Sequence, residues 1–299
     1  MSSLITWEKN PDVLNNIKPK DGNKIPKIIH FCWFGKSKMP EELVKCMDTW
    51  KVLKGYIFFR WDESNCTFDE NDFVKKAYEE KQYVFVSDYY RLKALHDYGG
   101  IYLDTDVLIN KSFDDFLKYD AFLNFITDCS IGTDVIGSKK GGELINNIYN
   151  LYDKCIMLPE TEKRNRKDMV IKDGQMYAYG FPVSNYSFTY YILKNYPGFK
   201  LNNRFQNLGD FVISPKELFE IGTLSKKHYT IHLCAGGWIV QKKNTIFRKR
   251  IKAVLYKNEF LFVNIQILVR KIRYIKLKKI NPFYQYYLAQ KKGWELPEL

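Results

Sequence analysis

Along this chain, apolar and polar positions fall into alternating strand-like and helix-like stretches. The apolar run from Ile28 to Phe34 has the length and composition of a strand buried on both faces. Glu41 to Leu53 carries apolar residues at helical spacing, Tyr56 to Trp61 again reads as a strand, and Asn71 to Glu80 as a helix. Ser87 is a good helix N-cap, Asp88 suits a first turn, and Leu92, Leu95 and Tyr98 repeat until Gly99-Gly100 stops them, which predicts a helix from about Asp88 to Tyr98. Ile101 to Leu108 then has strand content and enters a loop at Asn110-Lys111-Ser112. This alternation predicts an α/β fold with a mostly parallel sheet and right-handed crossovers. Ligands of such sheets lie beyond the carboxyl ends of the strands, where Trp33, Asp104 and Asp106 fall.

On a strand, Asp104 and Asp106 share one face and Thr105 points to the other. Two carboxylates so spaced at a strand end can hold a hard divalent cation, which in turn neutralises a diphosphate. Alone, a D-x-D pair is a weak signal, since a chain of this length holds roughly one by chance, and a strand-end or turn pair is the plain alternative. Here the pair follows a helix that carries Asp88 and Arg91 three residues apart on one face, with a double-glycine turn between. A surface ion pair is the alternative for Asp88 and Arg91. Trp33 offers a flat aromatic face to a nucleotide base, or fills the core. His232 is one of four histidines and precedes Gly236-Gly237-Trp238. It reads as a metal or diphosphate contact, or as a core histidine.

Three segments resemble glycosyltransferase family 32, the D-x-D sugar transferases, and more distantly the catalytic domains of large clostridial glucosylating toxins. They are Ile25 to Gly35 (IPKIIHFCWFG), Ser87 to Asp106 (SDYYRLKALHDYGGIYLDTD) and Ile231 to Trp238 (IHLCAGGW), in order across residues 25 to 240, with no such signal beyond Trp238. The resemblance implies a type-A glycosyltransferase fold, Rossmann-like around a mostly parallel central sheet. It implies catalytic roles for Asp88, Arg91, Asp104 and Asp106, and nucleotide or donor contacts from Phe31, Cys32, Trp33, Tyr102, Asp134, Gly237 and Trp238. Asp104, Asp106 and His232 become the expected ligands of Mn²⁺ or Mg²⁺. Asp106 is the direct ligand and Asp104 reaches ribose, sugar or a metal-bound water. Asp134 stands where the family more often shows Asn, and Gly237 where it usually has a small hydroxyl residue. Trp238 is expected to close over the donor as a lid. The implied reaction moves a hexosyl unit, with retention of configuration, from a nucleotide sugar to a glycan or lipid-linked saccharide acceptor in bacterial-type surface polysaccharide assembly, with UDP favoured over GDP. A carboxylate pair two residues apart on one face also suits a cation better than it suits the flanking arrangement of a glycosidase.

Composition adds a second theme. The chain has 299 residues, 45% of them hydrophobic and 16% aromatic, enough for one substantial core and an appendage. Six cysteines show no C-x-x-C spacing, which argues against a zinc site or a disulfide framework and for reduced thiols. The N-terminus reads as neither signal peptide nor anchor, so a cytoplasmic, peripheral location is expected. From Lys242 to Ile280 there are thirteen Lys or Arg against Glu259 alone, a net of +12 out of +13 for the chain. Residues 1–241 are therefore expected to form the catalytic domain and residues 242–299 a basic, amphipathic helical extension. Its apolar run, Phe260 to Val269, falls short of the roughly 20 residues needed to span a bilayer, so the expected partner of residues 242–280 is an anionic membrane surface. A helical subdomain packed on the core is the alternative, and no nucleic-acid motif accompanies the charge. Two other functions stay open from sequence: a non-catalytic sugar-binding or membrane-adaptor protein, and a toxin-like protein glycosyltransferase.

Overall fold

The computed structural model describes residues 5–20, 22–69, 72–153, 170–172, 175–178, 181–223, 225, 227–234 and 259–299. Strand β1 (Ile28–Cys32) is buried along its whole length. Its side chains alternate between two cores, Ile28 and Cys32 facing one and Ile29 and Phe31 the other. The chain continues through α1 (Glu41–Asp48), a 3₁₀ turn (Thr49–Val52), β2 (Ile57–Trp61), α2 (Asp72–Glu79), α3 (Tyr83–Tyr98), β3 (Gly100–Leu103) and β4 (Val107–Ile109). It goes on through β5 (Ala121–Thr127), β6 (Ser130–Ser138), α4 (Glu143–Asp153), β7 (Val170–Lys172), β8 (Gln175–Ala178), β9 (Phe181–Pro182) and α5 (Ser184–Asn195). Last come β10 (Gln206–Asn207), β11 (Phe211–Ser214), α6 (Lys216–Phe219), β12 (Thr230–His232) and two helices, Glu259–Lys279 and Tyr284–Lys292.

The central sheet has seven strands in the order β10-β11-β5-β6-β3-β1-β2. Following the pairings, β2, β1, β3, β5 and β11 run one way, with β6 and β10 opposed. The expected mixed α/β fold with a mostly parallel sheet is therefore present. Side chains of α2, α3, α4 and α5 fill the first core, against one face of the sheet. The second contains Met47, Trp50, Phe113, Phe116 and Phe219 and covers the other face.

Two elements differ from the sequence reading, each for a physical reason. Helix α3 starts at Tyr83 rather than Asp88, because fully buried Val86 and partly buried Tyr83 and Phe85 extend its inward stripe by more than a turn. Ser87 is therefore an interior residue, not a cap, and its hydroxyl donates to the Tyr83 carbonyl at 2.9 Å. The expected strand from Ile101 to Leu108 is two strands, broken at Asp104-Thr105-Asp106 by a turn closed from Val107 N–H to the Asp104 carbonyl at 3.1 Å. β3 stays in the central sheet, while β4 leaves it to pair with β12.

The glycines ahead of β3 are obligatory. Gly99 and Gly100 have φ of 68° and 112°, and a Cβ would sit 2.5 Å from the Lys140 nitrogen at the first and 2.7 Å from the Ile28 carbonyl oxygen at the second. His30, fully buried, ties this turn down: its Nε2 lies 2.8 Å from the Gly99 carbonyl and its Nδ1 accepts from the Trp61 indole at 3.2 Å. Those partners require a neutral ring with its proton on Nε2.

The described part of the basic C-terminal region packs on this framework rather than standing off from it. Lys278 pairs with Asp128 at 2.8 Å and Asn281 donates to Ser130 at 3.0 Å. Phe283 and Tyr287 join the first core, and Gln290 accepts from the Leu201 N–H at 2.8 Å. Residues 242–258 lie outside the described residues.

Burial lowers the pKa of His30 from 6.5 to about 4, against the pull of the Gly99 carbonyl. The unfolded ring binds its proton first, so this contribution to stability is complete above about 6.5 and is lost as pH falls toward about 4. The loss should reach about 3 kcal/mol at most. Urea unfolding across that window should show a steeper pH slope in wild type than in His30→Gln, which keeps an N–H for Gly99 but cannot titrate. Equal slopes would refute the assignment.

Candidate active site

The site is assembled at the point where the chain leaves the central sheet. β3 lies between β1 and β6, and Asp104, just past its end, donates its N–H to the Asp134 carbonyl on β6 at 2.9 Å. Beyond the turn, β4 runs antiparallel to β12 with Val107 opposite His232, and Leu233 N–H donates to the Asp106 carbonyl at 2.9 Å. This ribbon delivers His232 to the aspartate pair. Its β4 side is fixed from the 3₁₀ turn, since the Trp50 indole donates to the Val107 carbonyl at 2.7 Å and Thr49 Oγ1 accepts from Ile109 N–H at 2.9 Å.

Ligand atoms of Asp104, Asp106 and His232 all lie within 4.8 Å of one another, so one cation can reach all three. His232 Nε2 is 3.3 Å from Asp106 Oδ1. The convergence comes from the turn and the ribbon, not from the pleat of a single strand as the sequence suggested.

Behind Asp104 sits Arg91, buried, with Nη1 2.8 Å from Asp88 and Nη2 3.0 Å from Asp104. Its guanidinium lies 4.4 Å from the centroid of the Tyr102 ring, and the Tyr102 hydroxyl donates to the same Asp104 oxygen at 3.0 Å. Asp88 is buried as well, so the pair is not a solvated surface bridge. Arg91 thus orients two carboxylates at once. One turn of α3 sets Asp88 and Arg91 three residues apart, and the glycine turn brings Asp104 back to meet them.

Among the described residues, several carboxylates gather here around Arg91 and His232. Burial raises Asp88 to about 6, with Arg91 pulling the other way, and burial likewise holds Asp104 above the usual carboxylate range against Arg91. Asp134, on β6, is lifted to about 8 by burial and then by the nearby Glu220 charge, and its Oδ2 has no hydrogen-bond donor among the described residues. Burial works against charge on His232, yet Cys234, Glu220, Asp106 and Asp134 raise its pKa well above that of an ordinary imidazole. Such closely grouped carboxylate oxygens suit a hard divalent cation.

The other expected donor contacts fall as follows. Trp33 is half-buried just past β1, and its indole N–H donates to the Ser37 carbonyl at 2.8 Å, which holds the ring in place. Phe31 is fully buried in the second core, edge-on to Trp7 and Trp50. Cys32 is buried in the first core, where burial pushes its thiol up, with Arg91 and Asp104 close enough to act on it. Gly237 and Trp238 lie outside the described residues. One member of the cluster had no sequence signal: fully buried Glu220, just past α6, with its carboxylate 3.0 Å from His232 Nδ1. In Glu217-Leu218-Phe219-Glu220 it reads as an ordinary helix end.

Residues 32–123 match the family model of the glycosyltransferase sugar-binding region containing a DXD motif, a span that holds Asp88, Arg91, Asp104 and Asp106 and stops before Asp134 and His232. Over 142 residues the chain is 34% identical to inositol phosphoceramide mannosyltransferase 3 of Schizosaccharomyces pombe, covering 44% of this chain and 39% of that protein. Over 122 residues it is 32% identical to a mannosyl phosphorylinositol ceramide synthase of Saccharomyces cerevisiae, covering 38% and 31%. The matched region is thus well under half the length of these curated relatives. Among solved structures, PaToxG glycosyltransferase is similar at 20% identity and a TM-score of 0.42, over 57% of this chain and 70% of that one. The kinship to D-x-D sugar transferases read from the sequence is borne out.

Removing the Arg91 charge leaves Asp88 and Asp104 facing each other without a counterion. Arg91→Met is expected to destabilise the fold by about 3–5 kcal/mol, and Arg91→Lys, which cannot fork to both carboxylates, by less. Urea unfolding near neutral pH tests the order. A Met variant as stable as wild type would show that the pair contributes nothing net.

Proposed function

We propose that this chain, bearer of a DXD sugar-binding region, is a metal-dependent, retaining glycosyltransferase that moves a hexosyl unit from a nucleoside diphosphate sugar, UDP-linked in preference to GDP-linked. The acceptor is a hydroxyl of a glycan or a lipid-linked saccharide in surface polysaccharide or glycolipid assembly. The observation that carries the reading is the convergence of Asp104, Asp106 and His232 within 4.8 Å, on elements more than 100 residues apart in sequence. Mn²⁺ or Mg²⁺ held by these three supplies charge neutralisation to the departing diphosphate.

The remaining work falls to the chain itself. Arg91 holds Asp88 and Asp104 in one arrangement, which leaves Asp88 an acceptor for a sugar hydroxyl and Asp104 for ribose or sugar. Asp134, at the place where Asn is more usual, offers its carboxyl oxygens to the donor sugar. Trp33 stacks on the base, Phe31, Cys32 and Tyr102 shape the nucleotide edge, and Gly237 and Trp238 cover the diphosphate. Retention fits attack on the face from which the diphosphate departs.

Two observations favour a lipid-borne acceptor. The yeast relatives carry names that join mannosyl transfer to a ceramide lipid. The Glu259–Lys279 helix turns Tyr274 inward while Leu268, Ile272 and Ile275 stand more than half exposed, beside exposed Lys271, Arg273 and Lys279. No helix among the described residues is long and apolar enough to cross a membrane. Such a face suits a peripheral enzyme on the cytoplasmic side of an anionic membrane.

Calorimetric titration with UDP and with GDP, each with and without Mn²⁺, tests the chemistry. Binding of UDP that requires Mn²⁺ and disappears in Asp106→Ala is expected, and absence of any nucleotide binding would refute the transferase reading. Separately, flotation with anionic liposomes should recover the wild-type chain, and Ile272→Glu with Ile275→Glu should abolish recovery. Unchanged flotation of that variant would rule out this face.

A further inference from the structure

Behind the metal-binding triad lies a second group, Glu220, His232 and Cys234, whose ligand atoms also fall within 4.8 Å of one another. The two groups share His232, and a neutral imidazole has only one lone pair to give. Its two nitrogens face different neighbours, Nε2 toward Asp106 Oδ1 at 3.3 Å and Nδ1 toward Glu220 Oε2 at 3.0 Å. Glu220 is fully buried, and an ionised carboxylate can only accept. Its donors are in place: the Tyr274 hydroxyl and the Cys234 thiol, the latter at 3.6 Å, both reach Oε1, while Oε2 lies against His232. The backbone agrees, since His232 N–H donates to the Glu220 carbonyl at 3.0 Å and holds the two residues side by side. A hard cation belongs on the Asp104–Asp106 side, where two carboxylates converge, and not beside a tyrosine and a thiol.

We infer that Glu220 is a positioning residue. It accepts a hydrogen bond from the Nδ1–H of His232, so that the Nε2 lone pair faces Asp104 and Asp106, and it is itself held by Tyr274 from the Glu259–Lys279 helix. This is the arrangement by which a carboxylate behind a metal-bound histidine fixes ring orientation and raises ligand basicity. Its consequence is particular to this chain: a residue of the basic C-terminal helix, 54 positions from Glu220, sets the metal site through one intervening side chain. Removing that helix should cost metal affinity even though the helix contributes no ligand.

The inference rests on the metal-site reading above, and a double-mutant cycle on Mn²⁺ affinity separates the two. Mn²⁺ binding is measured by electron paramagnetic resonance, with and without UDP, in wild type, Glu220→Gln, His232→Ala and the double variant. Glu220→Gln should weaken Mn²⁺ by about 10–100-fold. The double variant should bind no worse than His232→Ala, because Glu220 acts only through the ring. Tyr274→Phe, which keeps the carboxylate and removes one of its anchors, should weaken Mn²⁺ in the same direction by less, and thermal melting confirms that each variant is folded. Mn²⁺ affinity in folded Glu220→Gln equal to wild type overturns the inference alone. So does a Glu220→Gln loss that persists undiminished in the His232→Ala background. No Mn²⁺ binding by wild type under either condition overturns the metal site and the inference together.

Discussion

With Asp88 at 2.8 Å and Asp104 at 3.0 Å, the buried Arg91 guanidinium leaves neither partner optional, because a charge taken out of water must be matched where it lies. That requirement reaches well beyond three side chains. It fixes the rotation of α3 against β3, since Asp88 and Arg91 share one helical face and Asp104 comes from the strand end. It also fixes the path between them. The chain must reverse in two residues, which only Gly99 and Gly100 permit with Lys140 and Ile28 pressed against them. His30 closes the same arrangement from below by holding the Gly99 carbonyl. On the reading proposed above, stability and chemistry therefore draw on the same contacts.

From there the site is a matter of charge. Asp104, Asp106, Asp134 and Glu220 gather around one histidine, with Arg91 committed to Asp104 and Asp88. Burial holds Asp88, Asp104 and Asp134 above their usual range, and the one imidazole among them is driven toward its charged form. On the reading proposed above, a divalent ion held here would reverse both tendencies, since its charge would favour every ionised carboxylate around it and an unprotonated Nε2 on His232.

Local pattern made much of this legible. The order of strands and helices, the Asp88–Arg91 spacing and the double glycine are short-range features, and each appears at its expected place, within a few residues. The path from Asp104 to Asp106 was not legible, because the strand signal of Val107 to Ile109 is real but belongs to a different sheet. Pairing with β12, more than 100 residues later, decides where β4 goes, and periodicity holds no record of that partner. Glu220 was hidden for the same reason. Nothing adjacent to it in sequence reveals that it will be fully buried against His232. The start of α3 shows packing overriding capping, for a serine with good N-cap chemistry is carried into a helix by the burial of Val86.

The basic region looks different once its packing is known. Its charge invites treatment as an appendage, but Tyr274 reaches Glu220 just past α6, Lys278 and Asn281 bond to the β5–β6 hairpin of the central sheet, and Phe283 and Tyr287 join the first core. Exposed Ile272 projects from the side of the Glu259–Lys279 helix roughly opposite Tyr274, so that outer side and the Tyr274–Glu220 contact are separated by about one helix diameter, roughly 10 Å. On the reading proposed above, a membrane bound to the outer face and a cation bound through His232 are neighbours across that single helix. An acceptor anchored in the bilayer then has little distance to cover. The constraint that places Tyr274 against Glu220 is also what keeps that distance short.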